Sequence, residues 1–157
     1  MVDLYRDQLA RLGGFRYICA FKMKDRRDVT EYFLAFATND PKGLTVMKRA
    51  MWKADPQTGR VFSDVNDPHQ LFLDIPIAPL RDLLLREFGG RPAVAMRDLI
   101  EWVRHTPYSE EMHLKGKTLA PLERSGLLRV TRPPGARKGT FPEAARLAFN
   151  AEGGGIC

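Results

Sequence analysis

Ser109–Phe149, SEEMHLKGKTLAPLERSGLLRVTRPPGARKGTFPEAARLAF, contains a helix pattern, a strand pattern and a basic turn in succession. A helix is expected to start near Thr106-Pro107 or at Ser109, with Glu110 and Glu111 close to its N-terminal end. Acidic residues are favoured at the positive end of the helix dipole. The helix is expected to run to about Ser125, with Gly126 as its stop. Pro121 interrupts it, because proline lacks the N–H and its ring crowds the preceding turn. The helix is therefore expected to divide into a part at 109–120 that faces a nucleic-acid groove and a final turn. Leu127–Thr131 then reads as a strand and Arg132–Lys138 as a Pro/Gly-rich turn with three basic residues. Gly139–Phe149 contains the returning strand.

Two helix patterns precede this stretch. Pro79–Phe88 gathers Leu80, Leu83, Leu84 and Phe88 on one face before Gly89-Gly90, and Pro92–Arg104 gathers Met96, Leu99, Ile100 and Val103. Three short helices followed by a basic hairpin is the order of a winged helix-turn-helix. Residues 69–77, with Leu71, Phe72, Leu73 and Ile75, suggest a short strand leading into them.

The first half has a different pattern. Asp3–Leu12 reads as a short helix ended by Gly13-Gly14. Phe15, Tyr17, Cys19, Phe21 and Met23 alternate with the period of a strand that buries one face. After a charged turn at 24–28, Glu31–Thr38 is apolar on both faces, which predicts an antiparallel hairpin whose second strand is the more buried. Asn39-Asp40-Pro41 starts a helix that continues to about Ala54, with Leu44, Met47, Met51 and Ala54 inward and Lys42, Lys48, Arg49 and Lys53 on other faces. Asp55–Pro68 is a loop containing a short strand at Val61-Phe62. The expected fold class is α+β: an antiparallel β-hairpin plus helix over 1–68, a winged helix-turn-helix domain over 69–150 and a flexible tail over 151–157.

Composition bounds the functional classes. The chain has 157 residues, of which 44% are hydrophobic and 28% charged, as in a folded globular protein. It has neither the run of about 20 apolar residues that spans a bilayer nor a signal-peptide core, so a cytoplasmic, membrane-free protein is expected. Two cysteines, Cys19 and Cys157, offer neither a disulfide framework nor a CxxC metal pair, and His69, His105 and His113 have no ligand-spaced carboxylate or thiol. The glycine pairs and Gly153-Gly154-Gly155 lack the strand-then-helix setting of a cofactor loop, and no Ser or Cys stands in a catalytic pattern. No cofactor, no metal and no enzymatic activity are expected.

Charge location is more informative than its total. The formal net charge is +6, and residues 112–138 alone carry seven basic residues against Glu123, a net of +6. Charge concentrated in this way attracts polyanions, whereas a run of charge with no partner is simply a solvated face. Lys115, Lys117 and Thr118 on the third helix, with Arg132, Arg137 and Lys138 in the turn, form the expected nucleic-acid-contacting set. DNA is the expected partner, with backbone contacts supplying affinity and little sequence choice.

Two blocks of the chain also resemble a known family. YFLAFATNDPKGLTVMKRAMW over 32–52, and HTPYSEEMHLKGKTLAPLERSGLLRV over 105–130 with RKGTFP over 137–142, are similar to the C-terminal region of three-Cys-motif partner (TcmP-type) proteins. The resemblance implies a preceding methyltransferase-like Rossmann domain and a closing winged helix of the GMT-like type. Residues 15–38 would then be the last hairpin of the Rossmann-like sheet, and the chain a fragment, a short member or one piece of a split protein. The alternative functions are a protein-interaction module or partner subunit, or a homodimer formed through the N-terminal hairpin, whose unpaired edge invites another strand.

Overall fold

A computed structural model describes residues 2–24, 29–63 and 78–150 and has a mixed α+β architecture in two compact units, Met1–Ile77 and Ala78–Cys157. The strand expected at 69–77, the domain boundary expected at 68 and the tail at 151–157 lie outside the described residues. No helix among the described residues is long and apolar enough to cross a membrane.

The first unit contains helix α1 (Val2–Arg11), strands β1 (Tyr17–Lys24) and β2 (Thr30–Thr38), helix α2 (Pro41–Ala54) and strand β3 (Val61–Ser63). β1 is the central strand. It pairs antiparallel with β2, from Tyr17 opposite Thr38 to Met23 opposite Tyr32, and parallel with β3, from Lys22 opposite Val61 to Lys24 opposite Ser63. The hairpin has the expected pairing but the opposite burial. Tyr17 and Phe21 of β1 are buried, whereas Thr30–Ala35 of β2 is exposed on both faces, because β2 is the sheet edge. Apolar residues on both faces therefore mark an uncovered edge here, not a central strand.

Helix α2 begins as the Asn-Asp-Pro signal indicates: the Asp40 side chain accepts from the Lys42 amide at 2.9 Å, with Pro41 in the first turn. Its buried stripe is Leu44, Lys48, Met51 and Trp52, so Lys48 is inside and Ala54 outside, contrary to expectation. The stripe is rotated to bring in Trp52, whose indole lies against Gly59. Asp55 ends the helix and organises the next turn. Its carboxylate accepts from the amides of Gln57, Thr58, Arg60 and Val61 at 3.1–3.2 Å and from the Thr58 hydroxyl. Burial pushes this carboxyl up, but the bond from the Thr58 side chain and the bonds from the Arg60, Thr58 and Val61 amides outweigh it and hold it below the ordinary value.

The second unit runs α3 (Leu80–Phe88), β4 (Val94–Ala95), α4 (Met96–Arg104), a π-helix (Glu110–Leu119), α5 (Ala120–Arg124), β5 (Leu128–Thr131) and β6 (Arg146–Phe149). β6 lies between β4 and β5, antiparallel to both. Helix α4 starts at Met96, not Pro92, because Val94 and Ala95 pair with Leu147 and Arg146. Leu84, Met96, Leu99, Val103, Leu114 and Leu147 are completely buried and form the centre of the core. Phe88 extends that core, with Trp102 edge-on at 5.3 Å and Phe149 at 5.8 Å.

The bend expected at Pro121 takes a specific form. In an α-helix the proline ring would collide with the carbonyl four residues earlier. Here the turns before it are widened to five-residue hydrogen bonding: the Ala120 amide donates to the Lys115 carbonyl, and the Thr118 hydroxyl donates to the His113 carbonyl at 2.8 Å. Ordinary α geometry resumes at Ala120 and places Pro121 in a first turn, where no N–H is needed. Such wide turns are usually single and often lie at functional sites.

Candidate nucleic-acid interface

The helix at Glu110–Leu119 is anchored at its N-terminal end. Fully buried Ser109 caps it, accepting from the Met112 amide at 3.4 Å, and the Tyr108 hydroxyl donates to the Ala78 carbonyl at 3.0 Å. Leu114, Thr118 and Leu119 face the core, which leaves Lys115, Gly116 and Lys117 outward as one exposed group. A Cβ built on Gly116 meets nothing within 4 Å, so the helix surface between the two lysines is bare backbone.

The β5–β6 connection, the wing expected from sequence, leaves β5 at Arg132 and returns through Thr140 and Phe141. Arg132 Nε donates to the Thr140 carbonyl at 2.8 Å, Nη2 donates to Glu123 Oε2 at 2.7 Å, and the guanidinium lies 5.6 Å from the Phe141 ring centre. The hydrogen bond from Arg132 holds the Glu123 carboxyl below its ordinary value against the opposing effect of burial, and the charges of Arg132 and Lys138 act in the same direction as the bond. The tip turns through Gly135 and Gly139, both left-handed with φ of 82° and 81°.

Helix and wing face each other across an open groove of about 510 Å³. Lys115, Gly116 and Ala120 line one side, and Ala136, Gly139, Thr140, Phe141 and Pro142 the other. Thr140 is turned into its own loop, its hydroxyl donating to the Arg137 carbonyl at 2.6 Å.

The residues expected from sequence separate into two groups. Lys115 and Lys117 on the helix and Arg137 and Lys138 on the wing are exposed, and none makes an ion pair among the described residues. Exposed Arg124 and Arg129 likewise lack a carboxylate partner there. Thr118 and Arg132 belong elsewhere. Thr118 is 6% exposed with its hydroxyl committed to His113, so it faces the core and not a ligand. The Arg132 side chain is 13% exposed and engaged by Glu123 and Thr140, so it holds the wing together. Sequence reasoning did not single out Gly116 or Gly139; the visible signal was their position beside basic residues, in KGK and RKG.

His113 is also accounted for locally: its Nδ1 lies 3.2 Å from the Ser109 amide, and its ring is edge-on to Tyr108 at 5.4 Å. His105 lies 3.4 Å from Glu101, and no group of three or more His, Cys, Asp or Glu among the described residues is placed to hold a metal ion. No family model, no curated protein and no solved structure gives a significant match to the chain.

Proposed function

We propose that the second unit is a winged helix-turn-helix domain that binds nucleic acid, duplex DNA first, as a binding module. The observation that carries this reading is the groove: Lys115 stands on its helix wall, the Arg137-Lys138 pair on the wing opposite, and these cations lack carboxylate partners among the described residues. The order helix, strand, helix, a third helix formed by the π-helix running directly into α5, and then two strands, with the last strand in the middle of the sheet, agrees with a winged helix. Phosphate contacts from Lys115, Lys117, Arg137 and Lys138 provide affinity that depends on salt. The short supply of base-reading side chains on the exposed face implies weak sequence choice.

A fluorescence titration with random duplex and single-stranded DNA at two salt concentrations tests this. With four phosphates neutralised, log affinity falls with log salt at a slope of about −3.6. Changing Lys115, Lys117, Arg137 and Lys138 together to Ala abolishes the dependence. Binding that ignores salt, or that survives the fourfold change, rejects the proposal.

A second reading rests on the first unit. Tyr32, Phe33 and Leu34 of the edge strand β2 are 54%, 45% and 47% exposed, and the strand carries a single charged residue, Glu31, to discourage pairing. A partner protein, or a second copy joined through this hairpin, would cover that edge.

A further inference from the structure

We infer that the Glu123–Arg132 pair is a positioning device: it sets the spacing between α5 and the wing, and so the width of the groove that receives a phosphodiester backbone, without either side chain touching the nucleic acid. The inference rests on the nucleic-acid reading and adds to it a residue pair that governs affinity from outside the contact surface.

The geometry carries it. One planar guanidinium joins three pieces of chain: Arg132 at the exit of β5, the Thr140 carbonyl on the returning limb and the Glu123 carboxylate on α5. Thr140 and Phe141, which Arg132 bonds and covers, are themselves wall residues of the groove. Ala120, on the opposite wall, belongs to the same five-residue helix as Glu123. The two walls are thus tied across one ion pair, with the side chains only 13% and 20% exposed. A lysine ammonium cannot reproduce this arrangement, since it is a point charge on a flexible stem, whereas the guanidinium presents Nε and Nη donors in one fixed plane. The seven residues from Pro133 to Gly139 project beyond the tie and include Arg137 and Lys138, so a change at the base displaces both cations together.

Electrostatics alone predicts the opposite outcome for one substitution, and this makes the inference testable. Glu123→Gln removes the sole acid of the basic segment, beside Lys138, and a purely coulombic surface would then bind polyanions more tightly. A positioning pair predicts weaker binding.

The experiment measures affinity of Glu123→Gln and Arg132→Lys for a random DNA duplex across a salt series. Each is expected to bind about three- to tenfold more weakly with the salt slope unchanged, and the double variant no more weakly than either single one. Lys115→Ala, by contrast, lowers the slope by about one. Glu123→Gln binding as tightly as the parent, or more tightly, overturns the inference. If that variant fails to fold, Glu123→Asp, which keeps the charge but shortens the reach, is expected to show the same loss, and parental affinity there overturns it equally. Amide exchange of Thr140, whose N–H donates to the Arg137 carbonyl at 3.2 Å, gives a measurement without DNA. Faster exchange in Glu123→Gln supports the tie and unchanged protection rejects it, even if the parent protein binds no DNA and the reading beneath it fails.

Discussion

The indole of Trp52 lies so close to Gly59 that a Cβ on the glycine would sit 2.6 Å from two ring atoms. Gly59 also has φ of 64°, in the left-handed region. Both constraints act against Gly59→Ala: a side chain there is strained by the backbone and forces the 7%-exposed Trp52 out of its place. The substitution is expected to cost about 2–4 kcal/mol. Urea unfolding followed by Trp52 fluorescence in a Trp102→Phe background measures it, and a loss below about 0.5 kcal/mol would show that the contact is not tight.

Asp55 gives the first unit a dependence on acid. Its carboxyl is held below the ordinary value, so the stabilisation is fully present above the unfolded pKa near 4 and is lost as pH falls through the lower folded value. Asp55→Asn is expected to reduce stability by about 1–3 kcal/mol at pH 7, since an amide accepts through one oxygen where the carboxylate accepts through two. The gap between parent and variant narrows below about pH 4. Chemical unfolding between pH 3 and 7 checks this, and a gap that widens toward acid contradicts it.

Thr118→Val separates the core role of Thr118 from any contact role. Losing the hydroxyl bond to the His113 carbonyl costs about 1 kcal/mol of stability. DNA affinity of the folded variant stays within about twofold of the parent, because the side chain is buried and faces away from Lys115 and Lys117. A variant of parental stability that binds markedly less would return Thr118 to the contact surface.

On β2, Phe33→Lys places a charge in the middle of the exposed apolar edge. If copies of the chain pair through this strand, sedimentation at rising concentration shows the parent associating and the variant monomeric. An association that the lysine leaves untouched must use another surface.

Much of the second unit was legible because its elements obey local rules. Glu110 and Glu111 marked the region of the helix start and Gly126 its end, and the Leu/Met spacing of 80–103 marked Leu80, Leu84, Met96, Leu99 and Val103 as buried but included half-buried Leu83 and left out buried Leu85. What escaped depended on partners outside the element itself. Val94-Ala95 is too short to read as a strand until β6 pairs with it, and Arg132 looks like a free cation until Glu123 and Thr140 are placed around it. Thr118 has the same composition signal whether it faces outward or inward, and the widened helical turns before Pro121 decide the matter. In the first unit the apolar run of β2 was misread for a related reason, since residue pattern reports hydrophobicity and only sheet order reports which strand is covered.

The tip of the wing between Pro133 and Gly139 is tied at its base and by bonds within the loop itself, the Ala136 amide donating to the Pro133 carbonyl and the Thr140 amide and hydroxyl to the Arg137 carbonyl. Arg132 and Thr140 close the loop below it, and a Cβ on either Gly135 or Gly139 would meet no other atom within 4 Å. A loop held this way is a replaceable part: its length and charge can change while the core beneath keeps its contacts. New surface chemistry can therefore be grafted, or drift during evolution, in seven residues without redesign of the fold.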